Sequence, residues 1–384
     1  EDRDPATVDC LTCHDTTGTY IKMIGGGGRP VDGIDLVAAA RSVGRPSRER
    51  CGNCHFYSDG SANIKHGDLE PALVDPPDDM DIHMGRYDML CQDCHTTREH
   101  KIAGMSMSAP AVEGRVFCTR CHSDTPHGMA GAYSRHLDDH LRSVACQVCH
   151  IPNIARRTPT RTSIDWSKAA DYGPVPLTDR GLPAWPQESG VETWARNVVP
   201  EYRWYDGTRT VKVLGETIDP RGTVYLNQPQ GDKRDPHALI SAFKAHRAMQ
   251  PYDTESNVLV IPKLWEGFWE HFNLDTAIRE GMDVSGLEYS GSYDFVETVQ
   301  YMGIHHEIVP ARDALGCQDC HAAAAVDCRR CHSAIRGHDL HGLGHAVYPE
   351  VRNRIDFQAL GYEKDPAMIG GRFFIQIGRG TPPR

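Results

Sequence analysis

Hydrophobic positions are unevenly distributed along the chain. Over residues 1–150 no apolar stripe keeps a period of 3.6 or of 2 for long, and Gly, Pro and Asp interrupt it repeatedly. That pattern predicts short helical turns joined by irregular loops. Residues 151–316 read differently. All six tryptophans fall there: Trp166, Trp185, Trp194, Trp204, Trp265 and Trp269. Residues 201–205 and 208–213 flank Asp206-Gly207, which predicts a β-hairpin. Trp265, Phe268, Trp269, Phe272 and Ile278 recur at helical spacing, and Tyr293, Val296, Val299 and Gln300 do so less cleanly. Residues 373–377, Phe-Phe-Ile-Gln-Ile, read as a short strand. The fold class expected from this pattern is mostly α with extensive irregular loops, plus one short hairpin.

Composition narrows the function classes. The 384 residues are 39% hydrophobic and 24% charged, which suits a folded chain. The net charge is −11, and no Lys/Arg tract runs five long, so the basic footprint of a nucleic-acid partner is missing. No apolar run approaches the roughly 18 residues of a membrane span. The glycine run at 25–28 lacks the Gly-Lys-Ser/Thr ending of a phosphate loop and reads as a flexible turn.

The cysteines carry the chemistry. All fourteen fall into seven Cys-x-x-Cys pairs, each followed at once by histidine. These are Cys10/Cys13/His14, Cys51/Cys54/His55, Cys91/Cys94/His95, Cys118/Cys121/His122, Cys146/Cys149/His150, Cys317/Cys320/His321 and Cys328/Cys331/His332. The motif reads as c-type haem attachment. Two intervening residues make about one turn, so both sulfurs reach the vinyl edges of one porphyrin, and the next residue presents its imidazole to the iron. Neither a disulfide framework nor a zinc ribbon requires histidine at that place. Seven covalently attached c-type haems are expected. Their attachment is completed after export, so the chain, which opens Glu-Asp-Arg-Asp-Pro without a cationic hydrophobic leader, reads as a mature periplasmic or extracellular form.

Fourteen further histidines are available for the opposite face of each iron. His100 and His127 each follow a motif by five residues, His140 precedes Cys146 by one to two turns, and His66 and His83 lie between the second and third motifs. His306 precedes the sixth. These six are the expected distal ligands, with His345 for the seventh, ahead of His136 and His246. His305 reads as a residue behind or beside the ligands, and methionine is the alternative ligand type.

Along the chain, residues 1–150 form a five-haem segment, with first cysteines 41, 40, 27 and 28 residues apart. Residues 151–316 form a haem-free, Trp-rich scaffold segment, 317–350 a two-haem segment whose motifs begin 11 residues apart, and 351–384 a C-terminal tail of local charge +3. The haems are expected to supply most of the core as a closely packed chain. The tail reads as docking on the chain's own acidic body or adding to a neighbouring subunit.

Specific stretches resemble a known family. Val8 to Tyr20, with Cys10, Cys13 and His14, then Lys65-His66-Gly67-Asp68-Leu69, Asp81-Ile82-His83-Met84-Gly85, Cys146 to Pro152, and His306 to Pro310 with Ala314-Leu315-Gly316-Cys317 are similar to the octahaem tetrathionate reductases. The resemblance covers about residues 8–332. It implies a haem-packed, mostly α fold and distal ligation by His66, His83 and His306. The family binds its catalytic haem through Cys-x-x-Cys-Lys near the N-terminus; no such motif occurs here, and the haem count is seven. The electron-transfer body is what the resemblance carries over.

Two functions follow from these readings. One is an exported electron carrier, with other redox proteins or extracellular electron acceptors as partners; its sharper form polymerises head to tail into a conductive filament. The other is a reductase of tetrathionate, nitrite or hydroxylamine at an iron with an open position. Arg156, Arg157 and Arg161, just after the fifth motif, are its candidates for holding an anion and equally the partners expected for haem propionates.

Overall fold

The computed structural model of the chain describes residues 9–22, 29–58, 61–104, 116–128, 134–169, 190–321 and 354–369. The seventh motif (Cys328, Cys331, His332), His345, Trp185, the glycine run at 25–28 and the 373–377 segment lie outside the described residues, as does the side chain of His136.

Each of the first six motifs forms a turn of helix, and the turns are short. They are α1 (Cys10–His14), the end of α2 (Arg48–His55), α3 (Cys91–Cys94), a single 3-10 turn at Cys118–Arg120, α5 (Cys146–His150) and α7 (Cys317–Cys320). A further helix, α4 (Ser134–His140), leads into the fifth motif. Such turns are too short to hold themselves, so local caps start them. Asp9 accepts from the Thr12 amide at 3.1 Å, and Ser47 accepts from the Arg50 amide at 3.3 Å. In α3 and α7, both Cys-Gln-Asp-Cys, the aspartate reaches back to the amide before the helix: Leu90 to Asp93 at 2.8 Å and Gly316 to Asp319 at 2.7 Å.

The expectation of a mostly α chain does not hold, because the haem-free segment is a seven-stranded mixed sheet. Its strands are β1 (Thr160–Asp165), β2 (Val191–Ala195), β3 (Glu201–Tyr205), β4 (Val224–Tyr225), β5 (Leu239–Asp253), β6 (Val258–Leu259) and β7 (Tyr293–Gly303). The 15-residue β5 organises it. One side of β5 pairs antiparallel with β7 from Phe243↔Gly303 to Asp253↔Tyr293. Along its length it also pairs with β3 at Leu239↔Tyr205, parallel with β1 at Arg247↔Ser163, and with β6 at Tyr252↔Leu259.

Three expected elements change as a result. Asp206-Gly207 does make a turn, with Gly207 at φ +97 and the Thr208 amide on the Asp206 carboxylate. The strands beside it nevertheless go to different partners: β3 to β5, and Arg209–Val211 to Asn227–Pro229. Tyr293, Val296, Val299 and Gln300 lie on β7, where Val296 and Thr298 are buried on one face and Val299 and Tyr301 on the other. A strand packed on both faces mimics a helical period over so short a run. The series Trp265 to Ile278 is interrupted by Phe272 at φ +52, and only from Leu274 does a regular helix, α6 (Leu274–Val284), begin, capped by Asn273. Gly281 lies under the Ile261 carbonyl, where a Cβ would sit 1.9 Å from the oxygen, so α6 packs at backbone contact.

The main core joins sheet and motifs. Val148, Ile151 and Ile154 from the fifth motif pack on Tyr202, Trp204, Ile240 and Ala242 of the sheet, with Ile304. The described part of the C-terminal tail completes it: Ile355, Leu360 and Tyr362 are buried there, and Trp204 donates to the Leu360 carbonyl at 2.9 Å. Polar contacts join that apolar packing: buried Arg354 donates to Asn153 at 2.9 Å, and Asp365 meets the His321 ring at 2.6 Å. Trp204 thus serves as scaffold, whereas Trp265 is 70% exposed.

Asp253, at the end of β5, ties the sheet edge together. Its buried carboxylate accepts from the amides of Glu255, Ser256 and Ser290 at 2.9, 2.9 and 2.6 Å. Burial pushes its pKa up, and these amides hold it down at about 2. The folded pKa is below the unfolded one, so this stabilisation is complete above about pH 4 and is lost as pH falls toward 2. Asp253→Asn is expected to lower stability at pH 7 by about 1–3 kcal/mol. It should also flatten the acid-side loss between pH 4 and 2, read as denaturation midpoint against pH.

Candidate functional site

The motif histidines are brought face to face with histidines from other segments. Among the described residues five imidazole pairs form. His14 faces His100 with ring centroids 6.3 Å apart, His122 faces His83 at 6.0 Å, His95 faces His306 at 6.1 Å, His150 faces His127 at 6.4 Å, and His321 faces His140 at 6.2 Å. Each pair joins one motif histidine to one of the histidines singled out by sequence position. Rings in van der Waals contact would sit closer. Two imidazoles bound through nitrogen to opposite sides of one metal, at roughly 2.0–2.1 Å per bond, place their centroids about 6.3 Å apart.

The ring nitrogens support that arrangement. The Nδ1 atoms of His14 and His95 lie 2.8 and 2.7 Å from the carbonyls of Gly44 and Ala103. Three others meet carboxylates: His127 to Asp138 at 2.9 Å, His306 to Asp68 at 3.3 Å, and His321 to Asp365 at 2.6 Å. A group engaging Nδ1 fixes the tautomer and leaves Nε2 for a metal. Phe357 stacks on His321 at 5.3 Å.

One segment organises several of these rings. Residues 304–315 run between the motifs: the Val309 amide bonds to the His150 carbonyl at 2.9 Å and the Leu315 amide to the Cys149 carbonyl at 2.9 Å. Asp81 caps the turn bearing His83 and accepts from the Ile308 amide at 3.1 Å. Asp68, fully buried, accepts from the amides of His305 and His306 at 2.6 and 2.9 Å as well as from the His306 ring. Burial raises the Asp68 pKa, and these donors bring it down to about 2; desolvation lowers the partly buried His306, and the same bond draws it upward.

Arginines lock the remaining turns. Arg50 is buried and bonds to the Asp15 and Tyr20 carbonyls and to the Asp15 carboxylate, joining α2 to α1. Arg48 bonds to the carbonyls of Val74, Met84 and Met89 and to Asp88. Of the three arginines after the fifth motif, Arg156 pairs with Glu307 at 3.0 Å and bonds to the Asp79, Met80 and Glu307 carbonyls, Arg161 pairs with Glu192 at 2.6 Å, and Arg157 is half-exposed. Arg156 and Arg161 are therefore engaged within the fold.

The attachment cysteines adjoin in chain order. Cys13 lies near Cys54, Cys51 near Cys91, Cys94 near Cys121, Cys118 near Cys146, and Cys149 near Cys317. Successive motifs are therefore spatial neighbours from the first to the sixth.

Other expected ligands are placed differently. His66 is partly buried, which pushes its pKa down to about 4, and its charged neighbours are Asp68, His306, Lys65 and His305. Among the described residues neither His66 nor any other imidazole forms such a facing pair with His55. His246 sits on β5 with a buried Nε2 that has no hydrogen-bond partner, and the His305 ring meets Gln147 at 3.3 Å. The three carboxylates behind the rings were missed in the sequence. Asp68 stands two residues after His66 and Asp138 two before His140, but neither spacing marks a long-range contact.

Comparison with known proteins decides the class. The family "Cytochrome c bacterial" matches residues 161–324. A crystal structure of an octaheme cytochrome c from Shewanella oneidensis superposes with TM-score 0.76 at 36% identity, over 94% of this chain and 76% of that one. The chain belongs to the multihaem c-type cytochromes. An uncharacterised protein from Archaeoglobus fulgidus is 27% identical to this cytochrome over 124 residues, 28% of the chain and 41% of that protein. The cytochrome's motif thiols and facing imidazoles are the donor set that covalently held haem requires. Among the described residues no helix is long and apolar enough to cross a membrane.

Arg156 is the counter-charge for a buried acidic pair, since Glu70 and Glu307 are both fully buried beside each other. Arg156→Met leaves Glu307 without its cation, while Glu70 keeps the Arg157 and Thr158 amides, and should cost about 3–5 kcal/mol of stability, measured by guanidinium unfolding of the haem-loaded protein.

Proposed function

We propose that this cytochrome is an exported electron carrier that holds seven haems, most of them between two histidines, and passes electrons along the series of adjoining motifs. The observation that carries the proposal is the set of five facing imidazole pairs. The proposed ligand sets are His14 with His100, His95 with His306, His122 with His83, His150 with His127, and His321 with His140; His332 with His345 is the set expected for the seventh. Haem iron supplies one-electron chemistry with no bond made or broken. The protein's part is to fix both axial ligands, so that neither is exchanged when the charge changes, and to keep successive sites adjacent.

Ring orientations give a test. Near-parallel planes separate the two iron d orbitals that interact with the imidazoles, whereas near-perpendicular planes leave them close in energy. The His150/His127 and His95/His306 planes meet at 7° and 21°, and the other three pairs at 84°, 71° and 64°. Low-temperature EPR of the oxidised protein should therefore show at least two well-resolved rhombic low-spin signals and at least three with a large maximal g value. Pyridine haemochrome should count seven haems per chain. A spectrum dominated by high-spin iron at full haem loading would sink the carrier reading.

A second reading rests on His55. With no facing imidazole among the described residues, the second motif is the place where a reductase of a small sulfur or nitrogen compound would bind substrate. Turnover with a viologen donor and tetrathionate, nitrite or hydroxylamine would support it; no turnover and no high-spin fraction would remove it. The linear order of motifs also fits head-to-tail assembly, through which the path would continue from copy to copy. Electron micrographs of native secreted material should then show filaments, and discrete particles would exclude them.

A further inference from the structure

The five imidazole pairs are alike in spacing and unlike in what stands behind them. Behind His14 stands the neutral carbonyl of Gly44 at 2.8 Å, and the nearest carboxylate in sequence, Asp15, is already paired with Arg50. Behind His83, Asp81 lies 3.9 Å from Nδ1, outside hydrogen-bond range. Behind His306, His127 and His321 stand the carboxylates of Asp68, Asp138 and Asp365 at 3.3, 2.9 and 2.6 Å. Their side chains are 1%, 17% and 11% exposed, so water screens them little.

A carboxylate accepting Nδ1–H draws that proton toward itself and gives the ring imidazolate character. The other nitrogen becomes a stronger donor, which favours the ferric over the ferrous state. The buried negative charge acts in the same direction, because oxidation adds a positive charge to the site. A backbone carbonyl orients the ring equally well and adds no net charge.

We propose that Asp68, Asp138 and Asp365 are positioning residues that lower the reduction potentials of the third, fifth and sixth haem sites below that of the first. This rests on the ligand pairs proposed above. The chain is then energetically polar: an added electron rests preferentially toward the first motif, and the adjoining fifth and sixth sites form the reducing end.

Asparagine in these places still accepts the Nδ1 proton through its amide oxygen, so it removes charge while keeping the hydrogen bond. The experiment is a mediated redox titration of the haem-loaded full chain, followed optically and by EPR of samples frozen at set potentials. Asp138→Asn and Asp365→Asn should each shift one component to higher potential, with haem count and low-spin fraction unchanged, and Asp138→Glu should restore most of the shift. Asp138→Asn has a distinct readout, because the near-parallel His150/His127 pair gives one of the rhombic signals, and only that one should change the potential at which it disappears on reduction. Asp68→Asn is the same test at the most buried site; if it fails to load haem, the other two variants decide. Unchanged component potentials in fully loaded, low-spin Asp138→Asn and Asp365→Asn proteins would overturn the proposal and leave the ligand pairs standing. Wild-type EPR without bis-histidine signals would overturn the ligand pairs themselves, and the two failures are thereby told apart.

Discussion

The opposition of two imidazoles, one from a Cys-x-x-Cys-His turn and one from a different segment, is the constraint on which the rest of the structure depends. In all five described pairs the partner lies outside its own motif; His140 with His321 reaches across the whole haem-free segment, and His95 with His306 across most of it. Such closures are entropically costly for a chain with little regular structure. Four of the five are locked at the base, by carbonyls at His14 and His95 and by carboxylates at His127, His306 and His321.

The sheet is what makes the long closures possible. β5 and β7 pair over eleven residues, and β7 delivers the chain directly into 304–315, where Ile304 enters the main core and Asp68 fixes the amides of His305 and His306. From there the segment bonds in turn to the His83 loop, to His150 and to Cys149. The haem-free part is therefore the template that carries His306 to the third motif and then presents the sixth motif to His140. The family match at 161–324 falls on this region, so the scaffold as well as the haem motifs is characteristic of the class.

Much of the site was legible because haem attachment needs fixed residue types at fixed spacing. A strict pentapeptide repeated seven times can be read without any knowledge of the fold. The partner histidines were legible in a weaker way, through their placement five residues after a motif or just before one. His66 shows the limit of that reasoning: its position beside Gly67-Asp68 fits a ligand, yet its ring is partly buried near Asp68 and His305 rather than set opposite His55. The sheet was read wrongly because β7 is packed on both faces and loses its alternation, and because the Asp206-Gly207 turn joins strands that pair elsewhere. Local pattern specifies turns and faces; pairing across tens of residues is decided by the core that the strands must cover.

The carboxylates show how a chain can differentiate sites that share one coordination chemistry. Once both axial ligands are histidine, axial ligand type no longer distinguishes one iron from another, and the remaining means are burial, charge and the group behind the ring. Burial is limited where the haems themselves make up much of the core. The Nδ1 partner is the variable that a single residue can change without disturbing the spacing of 6.0–6.4 Å common to all five pairs. Asp138 and Asp365 are also local in origin, each held by its own short helical segment, Ser134–His140 and the turn before Pro366–Ile369. A graded chain of sites can therefore arise from a uniform set of motifs, with the gradient written in residues that bind no metal.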